Sequence, residues 1–270
     1  GANNVAHGAY ALTANTTGTP NTAVGTNALT ANTTGAANTA IGYNALDANT
    51  TGGTNTAVGH NSLGANTTAG SNTAVGGNTL SANVTGQFNT AVGYDALLLN
   101  TASYNTAVGI DSLRLNTSGA SNTAIGRATL DANTTASNNT AVGDSALGAN
   151  TTGAENVAIG TFSLKSATTA SYNTVVGNCA LCAQTTGISN SAFGYLALSS
   201  STTGTLNTSL GMNSMLGTTT GANNVAVGHN SLRCNTTADD NTATGYGALA
   251  SNTTGNRNVA LGKNALASNT

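Results

Sequence analysis

Cys179-Ala180-Leu181-Cys182 sets two thiols at the C-x-x-C spacing that serves both zinc binding and dithiol–disulfide chemistry. A tetrahedral zinc site wants four ligands. The only other cysteine, Cys234, lies far along the chain, and no histidine neighbours the pair, so it reads as packing. The three histidines, His7, His60 and His229, are widely separated, and no base–nucleophile pair can be assembled from them. Asp95 and Asp111, and the adjacent Asp239-Asp240, are the densest carboxylates. A shared Ca²⁺ would draw on such oxygens, but surface acids account for both pairs. Tyr43, Tyr94, Tyr195 and Tyr246 offer rings on which a ligand or glycan could stack. The sequon N-x-[ST] recurs, as at Asn15, Asn32 and Asn49, but the same residues are those a turn selects. No catalytic residue, metal ligand or cofactor is assigned, and the chain is not read as an enzyme.

Composition narrows the classes further. Only 5% of the 270 residues are charged, against about 25% in an ordinary domain. Six Lys and Arg against eight Asp and Glu leave a formal charge of −2. Phosphate neutralisation needs clustered cations, so a nucleic-acid surface is excluded. No apolar run approaches the roughly 20 residues of a spanning helix, so membrane insertion of this segment is not expected. Apolar residues make up 39% at near-zero net charge, which is not the signature of intrinsic disorder.

The positions that must place these residues follow from a repeat. Asn-Thr-Ala-Val-Gly, or a close variant, starts sixteen times, first at Asn4, Asn21 and Asn38 and last at Asn258. Every interval is 17 residues except that from Asn89 to Asn105, which is 16. The unit reads N-T-A-V-G-x-x-A-L-x-A-N-T-T-G-x-x and fills residues 1–270 as a single array. Gly1-Ala2-Asn3 reads as the tail of one unit and Asn269-Thr270 as part of another. With no capping unit at either end, the span is expected to be a segment of a longer solenoid.

Comparison among the copies separates constrained columns from free ones. Asn at the first position and Gly at the fifth occur in all sixteen, and the ninth is Leu in all but one, Met215. The sixth position ranges from Gly to Arg to Tyr, and carries the four tyrosines singled out above. Gly costs about 1 kcal/mol in a helix interior, and Asn and Thr compete for the backbone, so a helical reading is poor. Two short strands per unit fit better: Thr-Ala-Val, and the stretch around Ala-Leu-x-Ala, with turns at the invariant Gly and at N-T-T-G. The fold class expected is all-β, a parallel β-solenoid (β-roll or β-helix) of sixteen 17-residue coils.

In such a stack each column becomes a ladder. Asn21, Asn38 and Asn55, Gly25, Gly42 and Gly59, and Leu29, Leu46 and Leu63 are the expected structural ladders. Asn can pass amide hydrogen bonds from coil to coil, and the invariant Gly supplies an unusual backbone angle or a close approach. Positions two and four lie on one side of a strand, and their bulk predicts that this side, with Leu at nine, faces the core. Position three would then face outward, yet it is Ala in fourteen copies, and position eight is always small. Small residues on an outer face predict the close approach of identical chains around a three-fold axis; the alternative is a very thin solenoid whose tight turns exclude bulk.

At N-T-A-V-G-x-x-A-L, for example Asn21-Thr22-Ala23-Val24-Gly25 leading to Ala28-Leu29, the chain resembles the head repeats of trimeric autotransporter adhesins. It is more similar still to the N-T-A-I-G-Y-x-A-L-x-x-N-T-T-G arrays of bacteriophage tail fibres and large bacterial surface proteins, with Asn38 to Gly52 a close instance. The resemblance covers the whole chain. It implies a trimeric β-solenoid fibre, extracellular, on the cell surface or on a virion, that spaces or presents a receptor-binding end. Adhesin heads use shorter units, and this span contains none of their coiled-coil stalk, anchor or chaperone domain.

The expected function is a structural fibre, shaft or head, that self-associates as a trimer or filament and serves adhesion or display. Its expected partners are identical chains and a cell-surface receptor or glycan. An end-to-end extracellular filament is one alternative. An ice-binding solenoid is another, built on the Thr columns at positions thirteen and fourteen, although N-T-T sets neighbouring Thr on opposite sides.

Overall fold

Thr-Ala-Val is short and β-prone, and the Gly that follows ends each strand where a left-handed backbone is needed. The computed structural model describes residues 2–269; Gly1 and Thr270, read above as parts of terminal repeats, lie outside them. Among the described residues every regular element is a strand of three or four residues, and each of the sixteen repeats contributes one. Contacts group the chain into two units, Gly1–Thr135 and Ala136–Thr270. The boundary falls inside the corner Asn133-Thr134-Thr135-Ala136, with no change in the repeat.

In the first unit the strands from Val5–His7 to Thr123–Ile125 pair in chain order, all parallel, with residues one repeat apart opposed. Thr22 faces Thr39, Ala23 faces Ala40 and Val24 faces Ile41. The second unit repeats the pattern from Thr140–Val142 to Val259–Leu261. Each unit is a parallel β-solenoid, the class that the 17-residue period predicts. The one short repeat does not disturb it, because Thr90 still opposes Thr106. The missing residue comes out of the corner. There Asn100 Nδ2 donates to the carbonyl of Ala102, two residues on, at 2.8 Å, where Asn83 reaches three residues to Gly86 at 2.9 Å.

The second strand expected around Ala-Leu-x-Ala does not form. Positions seven and nine are left-handed, with φ of 60° at Asn27 and 53° at Leu29, so the backbone cannot pleat there. It still bonds to its neighbours on both sides. Asn27 N–H donates to Ala9 of the preceding coil at 2.9 Å, and Leu29 N–H to Ala45 of the following one at 3.1 Å. Asn tolerates this conformation, whereas for Leu it costs about 1–2 kcal/mol. Leu29 is completely buried, and burying a Leu side chain is worth about 1.5–3 kcal/mol, which offsets the strain.

The interior is the reverse of the one expected from side-chain size. Ala at position three is fully buried, as at Ala23, Ala40 and Ala57, together with the small residue at eight and Leu at nine. Val and Ile at four point outward, Ile41 being 39% and Ile125 41% exposed. Leu fills the thin interior and small residues close it, Val175 at position three of one coil being the largest residue opposite that it admits. Coil thirteen makes this explicit: Ser209 replaces the usual Ala at three, and its Oγ donates to Ser214 Oγ at position eight across the interior, at 2.9 Å. The small columns are therefore core, and they do not report an approaching chain.

Turn chemistry ties the coils together. At Gly228, with φ of 127°, an added Cβ would stand 2.7 Å from the carbonyl oxygen of Gly245 in the next coil. In the N-T-T-G corner three successive N–H groups, of Thr33, Thr34 and Gly35, converge on the Thr50 carbonyl at 2.9, 3.2 and 3.3 Å. The Thr33 hydroxyl donates to the same oxygen at 3.0 Å. Asn32 and Asn49 form an amide ladder, Asn49 Nδ2 donating to Asn32 Oδ1 at 2.8 Å. In the first column Asn21 Oδ1 accepts from the Asn38 N–H at 2.9 Å, and Asn38 Nδ2 closes its own coil on the Gly52 carbonyl at 2.8 Å.

The inside–outside assignment makes a direct prediction. Ala57→Leu overpacks the interior and should cost about 1–3 kcal/mol, whereas the adjacent Val58→Thr should stay within about 0.5 kcal/mol. Chemical denaturation midpoints of the two variants check it.

Candidate interaction surface

The strand sets positions two and four on its outer side, and within each unit the parallel register stacks them into two ranks. In the first unit Thr22, Thr39, Thr56 and Thr73 form one rank, and Val24, Ile41, Val58 and Val75 the other. In the second unit Phe193 and Leu210 hold the position-four column, opposed across neighbouring strands. None of these positions carries Asp, Glu, Lys or Arg in any coil. Parallel sheets are ordinarily covered on both faces, and contiguous exposed apolar surface marks a contact site. Here the core covers one face and solvent the other.

The four tyrosines of the sixth column are all exposed: Tyr43 51%, Tyr94 55%, Tyr195 53% and Tyr246 52%. They are not gathered. Tyr43 and Tyr94 sit three coils apart, roughly 14 Å at the strand spacing, as do Tyr195 and Tyr246. Two of them have a histidine in the adjacent coil instead. Tyr43 stacks on His60 at 5.6 Å between ring centres, and His229 on Tyr246 at 5.2 Å. Lys263 reaches to 5.9 Å above the Tyr246 ring. A further stack, Phe88 on Tyr104 at 5.2 Å, lies in column seventeen, where sequence reading had no expectation. Its signal was the two rings standing one unit apart.

The charged candidates are each engaged locally. Asp95 Oδ1 accepts from Asn78 Nδ2 at 3.1 Å, and Arg114 stands 3.6 Å from Asp111 and 2.9 Å from Asp131. The hydrogen bond that Arg114 donates to the Asp131 carboxylate holds the guanidinium above its ordinary pKa. Asp239 accepts from the Ala222 N–H at 2.7 Å, and Asp240 lies 3.7 Å from Arg257. Among the described residues no group of three His, Cys, Asp or Glu could hold a metal ion. Cys179 and Cys182, read from sequence as packing residues, are instead joined in a disulfide. The i, i+3 separation brings them together across the left-handed turn that neither residue type announces.

Of the Thr columns at thirteen and fourteen, the first does not present free hydroxyls. The hydroxyl at thirteen is spent on the next coil, as Thr50 on Thr67 at 3.1 Å and Thr151 on Thr168 at 3.0 Å. No protein-family model matches the sequence, and no curated protein is significantly similar to it.

Burial pushes the Asp47 carboxyl above the usual carboxylate range, backbone hydrogen bonds from Ala48 and from its own N–H opposing the shift. A raised folded-state pKa gives stability that is complete below the unfolded value and is lost as pH rises through the folded one. Asp47→Asn should therefore raise the denaturation midpoint at neutral pH, with the gap over the parent closing near pH 3. Midpoints measured at both pH values check the sign.

Proposed function

We propose that this chain is a structural fibre segment that self-associates through the outer face of its sheet and serves adhesion or display outside the cell or on a virion. The observation that carries the reading is the pair of uncharged Thr and Val/Ile ranks on an otherwise uncovered parallel sheet. Regular and lacking charge, they suit a second copy of the same chain, whose own ranks repeat at the same spacing of about 4.8 Å. The partner chemistry is burial of Val and Ile that solvent now touches, each worth up to about 1.5–3 kcal/mol when fully covered. The variable sixth column, with its tyrosines and histidines, remains outside such a contact and is the natural place for receptor or glycan recognition. The architecture calls for no catalytic group, because repetition sets length and the free columns set what is displayed.

Sedimentation or light scattering of the purified chain tests the proposal. The parent should form trimers or larger assemblies at micromolar concentration. Replacing Val58 and Val92 together by Lys should give monomers with an unchanged circular dichroism spectrum. A parent that stays monomeric, or a Lys variant that still assembles, refutes this interface.

A second reading is supported by the same ranks. Thr and Val/Ile repeat at about 4.8 Å between coils and about 6.6–6.8 Å along each strand, a rigid two-dimensional lattice of hydroxyl and methyl groups. Such a lattice could order water and bind ice, on a different face from the N-T-T columns. A thermal-hysteresis assay on the monomeric protein separates the readings. Hysteresis that disappears on substituting Thr56 and Thr90 by Lys favours ice, and none favours the fibre.

A further inference from the structure

Cys179 and Cys182 occupy positions seven and ten of one coil, with Cα atoms 4.9 Å apart across their disulfide. The bond adds little to the shape of the turn. Cys179 N–H donates to Thr161 at 3.0 Å, Ala180 N–H to Gly177 at 3.3 Å and Leu181 N–H to Ala197 at 2.9 Å. The cysteine-free turn of an earlier coil has the same three bonds, Asn27 to Ala9 at 2.9 Å, Ala28 to Gly25 at 3.3 Å and Leu29 to Ala45 at 3.1 Å. A crosslink that closes four residues already pinned on both sides is dispensable for the fold.

What surrounds it is not ordinary for this chain. Both cysteines are half-buried and line an open cavity of about 330 Å³ with Phe162, Lys165, Ser166 and Ala183. Phe162 and Lys165 hold the same two columns in the preceding coil, and Lys165 Nζ lies 4.5 Å above the Phe162 ring. Lys165 thus stands one coil spacing, about 4.8 Å along the stack, from the position of Cys182. Cys182 Sγ is 3.7 Å from the Ser199 carbonyl oxygen, an acceptor ready for a thiol proton. An electrophilic disulfide, a cation and an aromatic wall therefore share one cavity in a chain with only six Lys and Arg.

We propose that Cys179–Cys182 is a thiol–disulfide exchange site whose reaction partner is a small anionic thiol seated in this cavity. The carboxylate of that thiol pairs with Lys165, and its carbon chain lies against Phe162. Its thiolate attacks Cys179 Sγ, forming a mixed disulfide. The Cys179–Cys182 bond breaks, and its electron pair passes to Cys182 Sγ. A neighbouring cation stabilises a thiolate, and on protonation the Cys182 thiol donates to the Ser199 carbonyl. A second thiol molecule then attacks the sulfur of the bound one, releasing the small-molecule disulfide and leaving Cys179 as the thiol. Two small thiols are oxidised to one disulfide while the protein disulfide is reduced to two thiols; the small disulfide drives the reverse reaction.

The full chain with Cys234→Ser, incubated in mixtures of reduced and oxidised glutathione, tests the site by counting alkylated thiols with mass spectrometry. Two thiols should appear and disappear reversibly as the mixture is varied. Reduction should move the thermal midpoint by less than about 2 °C, because the turn does not depend on the bond. Adding Lys165→Gln should slow reduction by glutathione about fivefold, while reduction by uncharged 2-mercaptoethanol is unchanged. A bond that glutathione cannot open, thiols that stay free under oxidised glutathione, or a coil that melts on reduction overturns the exchange site. Equal effects of Lys165→Gln on both reductants overturn the seat for an anionic thiol.

Discussion

Backbone hydrogen bonds between residues one repeat apart are the interaction on which the molecule rests. They run through the strand, where Gly42 N–H meets Val24 at 2.8 Å, through the left-handed segment, and through the N-T-T-G corner. Because each coil bonds to the next at almost every side of its circuit, neighbouring coils must superimpose. That requirement explains the invariant Gly, whose absent Cβ lets consecutive backbones close to contact. It explains the Asn columns too, since a side chain that bonds its own equivalent repeats only when every coil supplies it. Buried Asn would otherwise be costly; here the amides donate and accept along the stack.

A second constraint follows from how tightly 17 residues close. In nearly every coil the interior holds one Leu with a small residue opposite, and bulk at position four lies at the surface. The consequence for function is direct. Apolar residues that would have been the core of a wider coil become an uncharged outer face, and the proposed self-association would bury it. The small columns have a different cause from neighbouring chains: they close the interior.

The free columns carry what individuality the chain has. Stacked rings such as Tyr43 and His60, an ion-paired Arg114, and a disulfide beside Lys165 occur at a few coils, on a scaffold that does not need them. A repeat of this kind tolerates such substitutions because the coil-to-coil bonds are made by backbone and by other columns. Chemistry can be added at one coil without altering the next.

The period, the parallel stacking and the grouping of columns were legible in the sequence, because sixteen copies of one unit record which positions tolerate change. Alternation also told correctly that Thr22 and Val24 share a side and Ala23 takes the other. It could not tell which side is inside, since a strand's two faces are equivalent until the chain closes around one of them. Nor did Leu29 announce a left-handed backbone, which is unfavourable locally and is held by the bond of its N–H to Ala45 in the next coil and by burial of its side chain. The pairing of Cys179 with Cys182 depends on that same left-handed turn. Local pattern determined the ladder, and closure of the coil decided what faces inward, because only the finished circuit sets how much room its interior has.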